Sequence, residues 1–302
     1  IGKNVFGNAF TDTMDQQLAA GDFCSNTSWQ PCDSKTFKQM SAVGYYFGKE
    51  ILQHENIPVG LINLAIGGCP IETFINVDAL KESIEFSDKV NGNWLTNDAL
   101  PIWIRERGSQ NIGDVKQADP SGPNHGYKPG FAFKTGIQPI INLPIKGIIW
   151  YQGESNAQEI ERVNEYADLQ KLMIEDYRSK WHQPQMPFYW IQLSSIDTAK
   201  YKSQLWPQFR DEQRKLLNMI QYGGMAVCSD IGFKNNVHPT NKKAVGERLA
   251  RWALNKTYGE NIIPSGPLPL NAKYKKGKIS ITFQYKGNSL KKSDGKPPRG
   301  FS

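Results

Sequence analysis

Short apolar runs recur along an otherwise polar chain, and each stops at glycine or at polar residues. Residues 59–66 end at Gly67-Gly68, residues 146–151 end at Gln152-Gly153, and residues 187–193 and 224–228 are bounded in the same way. Runs of this length with turn residues at their ends predict buried strands. Between them apolar residues recur at helical spacing. Tyr45, Tyr46, Ile51 and Leu52 mark one helix, and Tyr166, Leu169, Leu172, Met173 and Tyr177 a second. Leu205, Phe209, Leu216, Leu217 and Ile220 mark a third. Ala244, Leu249, Trp252 and Ala253 mark the last, with Thr240 as its predicted N-cap. Nearly continuous apolar strands separated by helices imply a parallel sheet covered on both faces. Ligands in such sheets bind at the carboxyl ends of the strands.

Two stretches depart from this rhythm. Residues 85–129 are polar and rich in Gly, Asn and Pro clusters, which predicts a functional loop or an insertion. Residues 262–269 read as a linker. After it, Ile279, Ile281 and Phe283 alternate with polar residues and predict an antiparallel strand. The expected division is therefore a main domain over 1–260 and a partial β-rich appendage over 261–302.

Composition narrows the class. The 302 residues are 39% hydrophobic and 22% charged, as in globular proteins. No apolar run reaches the 18 residues of a membrane-spanning helix, and no signal peptide is visible. The net charge of +7 is local. From Asn271 to Ser302 there are nine Lys or Arg and one acid, so the other 270 residues are close to neutral. A basic strand pair of this kind reads as a solvated sheet edge rather than a nucleic-acid site. Cys24 and Cys32 lie close together in a polar stretch and could pair, whereas Cys69 and Cys228 read as buried thiols. The cysteine spacing fits no zinc pattern and no glycine-rich phosphate loop occurs, so no metal and no cofactor are expected. Asn26-Thr27-Ser28 and Asn255-Lys256-Thr257 are glycosylation sequons.

The polar residues that a core would not choose stand at the strand ends. They are Gly67-Gly68-Cys69-Pro70-Ile71-Glu72, Tyr151-Gln152-Gly153-Glu154-Ser155-Asn156, and the loop from Asp230 to His238-Pro239-Thr240-Asn241-Lys242. Together, in this order and spacing, these blocks resemble those of bacterial sialate O-acetylesterases, a branch of the SGNH hydrolases. Ser41 to Gly48, Lys128-Pro129-Gly130-Phe131 and Val245 to Ala250 add to the resemblance, which runs from about Trp29 to Ser302. It implies an α/β, three-layer flavodoxin-like SGNH hydrolase fold with a parallel sheet, plus the start of the small β-rich appendage.

It also implies a chemistry. A serine attacks an acetyl ester of a sugar, a histidine takes its proton, and hydrogen-bond donors hold the tetrahedral oxyanion. His238 is the implied base, a role suited to a side chain that titrates near neutrality. The backbone N–H of Gly68 and the side-chain amide of Gln152 are the implied oxyanion donors. Glu154 and Asn156 position Gln152 or contact sugar hydroxyls. Asp230 is the nearest acid to His238, so the site is either a triad through Asp230 or a Ser–His dyad with a backbone carbonyl or Asn236 orienting the ring. The family's Gly-Gln-Ser-Asn segment, with its nucleophile and the strand before it, has no counterpart here. The expectation is that an N-terminal piece carrying that serine is missing, and that the C-terminus is also cut. The substrate implied is an O-acetylated sugar, sialic acid first, and the implied location is extracytoplasmic.

Two alternatives stay open. Ser155, Asp230 and His238 occur in the order of an α/β-hydrolase triad, with Gly153-Glu154-Ser155-Asn156-Ala157 as an elbow-like turn after a strand. Alternatively, the chain binds a sugar without turning it over. His125 reads as a substrate contact or a surface turn. Trp94 and Trp103 read as core or as sugar-stacking residues.

Overall fold

The computed structural model describes residues 10–24, 28–114, 119–197, 203–290 and 295. The sequon at Asn26 and the chain end at Arg299 to Ser302 lie outside the described residues.

Three strands, β1 (Ile148–Trp150), β2 (Phe188–Ile191) and β3 (Gly223–Ala226), form a parallel sheet in the order β1-β2-β3. The register pairs Trp150 with Trp190 and Trp190 with Met225. Side chains alternate across a strand, and β2 shows what that builds. Phe188 and Trp190 enter one core cluster while Tyr189 and Ile191 enter the other. Ahead of the sheet lie α1 (Asp12–Ala19), α2 (Ala42–Glu55), α3 (Val77–Glu82) and α4 (Ile102–Ile112); α5 (Ile160–Asn164), α6 (Tyr166–Lys180), α7 (Trp206–Met219) and α8 (Lys242–Lys256) follow or separate its strands. Tyr166, Leu169, Met173 and Tyr177 of α6 and Phe209 and Leu216 of α7 cover the first face. Val43 and Ile51 of α2 and Val245, Leu249 and Trp252 of α8 cover the second. The result is a helix–sheet–helix sandwich of the expected three-layer α/β kind.

Helices α2 and α8 pack unusually closely. A Cβ at Gly246 would stand 2.7 Å from Tyr46 Cβ and 2.8 Å from the Val43 carbonyl, so only glycine admits this approach. Helix α8 starts one residue later than expected. Asn241 is the N-cap and accepts the Ala244 N–H at 3.2 Å, in place of Thr240. The segment over 85–129 is not wholly irregular, because it carries α4.

The strand expected over 59–66 does not form. The segment has no strand partner among the described residues, and Ile62 is 43% exposed. A strand is defined by its ladder, and apolar character alone supplies none. On the far side of the sheet from β3, β1 likewise meets no described strand and is less buried than β2.

The C-terminal hairpin pairs β4 (Leu268–Lys275) with β5 (Lys278–Gln284), so β4 begins within the expected linker. Its turn residues Lys276 and Gly277 both have positive φ, which matches the right-handed twist of a hairpin. Cys24 and Cys32 are free thiols. Cys24 faces inward beside Leu64 and Gly136 whereas Cys32 is exposed, so the pairing suggested by their spacing does not occur.

Candidate active site

Each site loop starts where a predicted strand ends. The turn at Gly67-Gly68 needs glycine. Gly68 has φ +71°, and a Cβ there would lie 2.7 Å from the Tyr127 hydroxyl. Three side chains pin this turn. Tyr127 donates its hydroxyl to the Gly67 carbonyl at 3.2 Å. Ser155 Oγ donates to the Gly68 carbonyl at 2.7 Å, and Trp103 Nε1 donates to the same oxygen at 3.2 Å.

The loop after β1 is tied to the 67–72 loop by buried amides. Gln152 Nε2 donates to the Cys69 carbonyl at 3.1 Å and to Asn156 Oδ1 at 2.8 Å, while Gln152 Oε1 accepts from the Tyr166 hydroxyl at 2.9 Å. Asn156 Oδ1 also accepts the Ile71 N–H at 3.1 Å, and Asn156 Nδ2 donates to Glu72 Oε2 at 3.0 Å. Asn156 has no exposed surface. Of its two expected roles, the geometry favours holding Gln152 over touching a sugar.

Beneath this network sits a buried cation. Lys89, from the insertion, donates to Glu72 Oε1 at 3.1 Å, to Glu165 Oε1 at 2.6 Å and to the Ala99 carbonyl at 2.8 Å. Burial raises the Glu165 carboxyl above its ordinary range, and Lys89 offsets part of that rise.

Glu154 is half-buried beside the His238 loop. Burial pushes its carboxyl upward, while the nearby His238 and Lys242 pull it down. Lys242 also stands 5.1 Å from the centroid of the Tyr151 ring. The third loop therefore reaches the second. His238 is exposed, and its backbone N–H is held by Asn236 Oδ1 at 2.9 Å. Asn236 thus shapes the loop through the main chain, and the imidazole makes no hydrogen bond to a described residue.

Asp230 is not brought to His238. Both of its oxygens take the Arg248 guanidinium at 2.6 Å, and Arg248 also donates to the Val227 carbonyl at 2.6 Å. That pairing, more than any other cause, holds the Asp230 carboxyl below its usual range. Ser155 is 3% exposed and gives its proton to Gly68, so Ser155, Asp230 and His238 do not assemble as a triad.

His125 is neither a surface turn nor a ready contact. It is fully buried between Trp94, with ring centroids 5.7 Å apart, and Tyr127, at 4.7 Å. Its Nδ1 accepts the Tyr127 backbone N–H at 3.1 Å, and burial drives its pKa down to about 3. Trp94 is core, with its indole N–H on the Pro123 carbonyl at 2.9 Å, whereas Trp103 is 37% exposed beside Gly68. Lys89, Trp103, Tyr127 and Tyr166 complete the site. The sequence marks Trp103 as a core or sugar-stacking residue; no motif marks Lys89, Tyr127 or Tyr166, and the irregular composition of 85–129 is the only signal for Lys89 and Tyr127.

Residues 133–255 match the family model described as carbohydrate esterase, sialic acid-specific acetylesterase. Over 283 residues the chain is 29% identical to the sialate O-acetylesterases of Homo sapiens and Pongo abelii, covering 86% of this chain and 48% of each relative. It is 28% identical to the Rattus norvegicus sialate O-acetylesterase over 251 residues, 77% of this chain and 46% of that one. Among solved structures, a carbohydrate acetylesterase from Xanthomonas citri superposes with a TM-score of 0.67 at 26% identity, covering 95% of this chain and 61% of that one. The chain spans about half the length of the curated relatives it matches.

Proposed function

We propose that this chain, which is similar to sialate O-acetylesterases, acts as a carbohydrate O-acetylesterase working through a serine acyl-enzyme, with His238 as general base. The observation that carries this reading is the position of His238. The residue is exposed, its ring is unbonded to described residues, and it stands near Glu154 of the Gln152 loop, which is itself bonded to the Gly68 loop through Gln152 and the Cys69 carbonyl. An imidazole left free in this way can take a proton from a nucleophile and return it to the departing sugar oxygen. Gly68 supplies a backbone N–H and Gln152 an amide N–H to the oxyanion. Both Gln152 donors now face protein acceptors, so one must turn to the oxyanion as it forms. Asp230 acts through Arg248, which ties the His238 loop to the end of β3. Glu154 stands near enough to His238 that the histidine lowers its carboxyl, against the larger upward push of burial.

The substrate is an O-acetylated sugar, sialic acid in the first instance, and the working compartment is extracytoplasmic, where such glycans are found. Division into an esterase domain over 1–260 and an appendage over 261–302 fits the hairpin, which stands apart from the parallel sheet.

The test is hydrolysis of O-acetylated sialic acid and of 4-nitrophenyl acetate by the purified full-length protein and its His238→Ala variant. Turnover that falls by about 10³-fold or more in the variant supports the reading. Sugar binding with no turnover in the parent protein identifies a binding protein and sinks it.

A further inference from the structure

We propose that Tyr127 is a positioning residue that aims the Gly68 N–H at the oxyanion. The inference rests on the esterase reading above. It follows from the planarity of the peptide group. In a trans peptide the carbonyl and the following N–H point in opposite directions from one plane. Fixing the Gly67 carbonyl therefore fixes the direction of the Gly68 N–H. The Tyr127 hydroxyl makes that bond, at 3.2 Å. Glycine at two successive positions carries no Cβ to restrain this peptide plane, so its direction rests on the bond to its carbonyl.

The tyrosine is itself held. It is 4% exposed, its backbone N–H is bonded to His125 Nδ1 at 3.1 Å, and its ring meets the His125 ring edge-on at 4.7 Å. Burial lifts its phenol to about 12, so the hydroxyl keeps its proton and stays a donor at neutral pH. The adjacent peptide is fixed by different groups. Ser155 and Trp103 both donate to the Gly68 carbonyl, which directs the Cys69 N–H and leaves the Gly68 N–H to Tyr127. The segment over 85–129 thus reaches the turn twice, through the Tyr127 hydroxyl and the Trp103 indole.

The experiment compares Tyr127→Phe with Tyr177→Phe in the full-length protein. Tyr177 is a matched control. It is 1% exposed and its hydroxyl also donates to a backbone carbonyl, that of Phe74 at 2.6 Å, but not to the Gly67-Gly68 turn. For 4-nitrophenyl acetate, Tyr127→Phe is expected to lower kcat by about tenfold, short of the 10²–10³ lost with an oxyanion donor itself, and to leave KM unchanged. Affinity for an alkylboronic acid, which forms a tetrahedral adduct on the serine, should fall by the same factor as kcat/KM. Tyr177→Phe should lose thermal stability with kcat intact. Unchanged kcat in Tyr127→Phe, or equal kcat losses in both variants, would overturn the inference. The esterase reading is checked separately by the turnover of the parent protein and its loss in His238→Ala. If the parent is silent, that reading falls and takes the inference with it.

Discussion

The ammonium of Lys89 meets the carboxylate of Glu72 at 3.1 Å with both side chains almost wholly withdrawn from water. The pair joins the insertion to the loop that follows Gly67-Gly68, and Glu72 passes the connection to Asn156 and so to Gln152. Truncating one partner of a buried pair leaves the other charge uncompensated, at a cost of about 3–5 kcal/mol. Lys89→Met should therefore lower the free energy of unfolding in urea by about that amount. Glu72→Gln keeps an acceptor and leaves Lys89 its contact with Glu165, so it should cost less. A loss below about 1 kcal/mol for Lys89→Met, the scale of an exposed ion pair, would show that the network is open to water.

Ser155 separates two esterase mechanisms. Its hydroxyl is spent on the Gly68 carbonyl at 2.7 Å. Ser155→Ala should therefore reduce kcat by a few-fold, roughly the effect of one neutral hydrogen bond of about 1 kcal/mol. A nucleophile removed in the same way would cost on the order of 10⁶-fold. Steady-state hydrolysis of 4-nitrophenyl acetate distinguishes the two without ambiguity, and collapse of activity in Ser155→Ala would reinstate the elbow reading.

Most of the sheet was legible because apolar runs at 146–151, 187–193 and 224–228 each find a neighbour, and the intervening helices carry a clear apolar stripe. Residues 59–66 show the limit of that reasoning. Their composition is as strand-like as that of β2, but a strand needs a partner, and composition does not say whether one is present. Within the candidate site, a link between residues near in sequence could be read from the chain, as with Gln152 and Asn156. It was not legible where the partner lies far along the chain. Lys89 and Glu165 are 76 residues apart, and Asp230 finds Arg248 on a helix rather than His238 in its own loop. Nearness in sequence suggested the histidine, but the reach and planar geometry of a guanidinium favoured the arginine.

The Asp230–Arg248 pair makes a prediction about pH. The Asp230 carboxyl is held below its ordinary value by the hydrogen-bonded guanidinium. A depressed carboxylate stabilises the fold above its unfolded value and ceases to do so as pH falls through the folded one. Asp230→Asn should accordingly be less stable than the parent at neutral pH and converge with it in acid. The loss should be small, within about 1 kcal/mol, because the Asp230 side chain is 58% exposed. The acidic limb of the kcat/KM profile, which reports the base, should not move. A shifted limb in Asp230→Asn would make Asp230 a direct partner of His238 and restore the triad.

His125 makes the opposite kind of titration argument, since here the buried group resists charge. Its Nδ1 must stay unprotonated to accept the Tyr127 N–H, and burial drives its pKa from 6.5 to about 3. Below about pH 6.5 the unfolded chain binds this proton and the folded chain does not, so stability must decline as pH falls from there towards 3. One proton corresponds to a slope of about 1.4 kcal/mol per pH unit at most. Denaturation midpoints at pH 7 and pH 5 should differ in the parent and differ less in His125→Phe, which keeps an aromatic ring against Trp94 and Tyr127. The variant also loses the acceptor for the Tyr127 N–H, so it should be less stable than the parent at pH 7 and approach it at pH 5. Parallel pH dependence in the two proteins would mean that His125 takes its proton while folded, and the Tyr127 clamp would then have to loosen in acid as well.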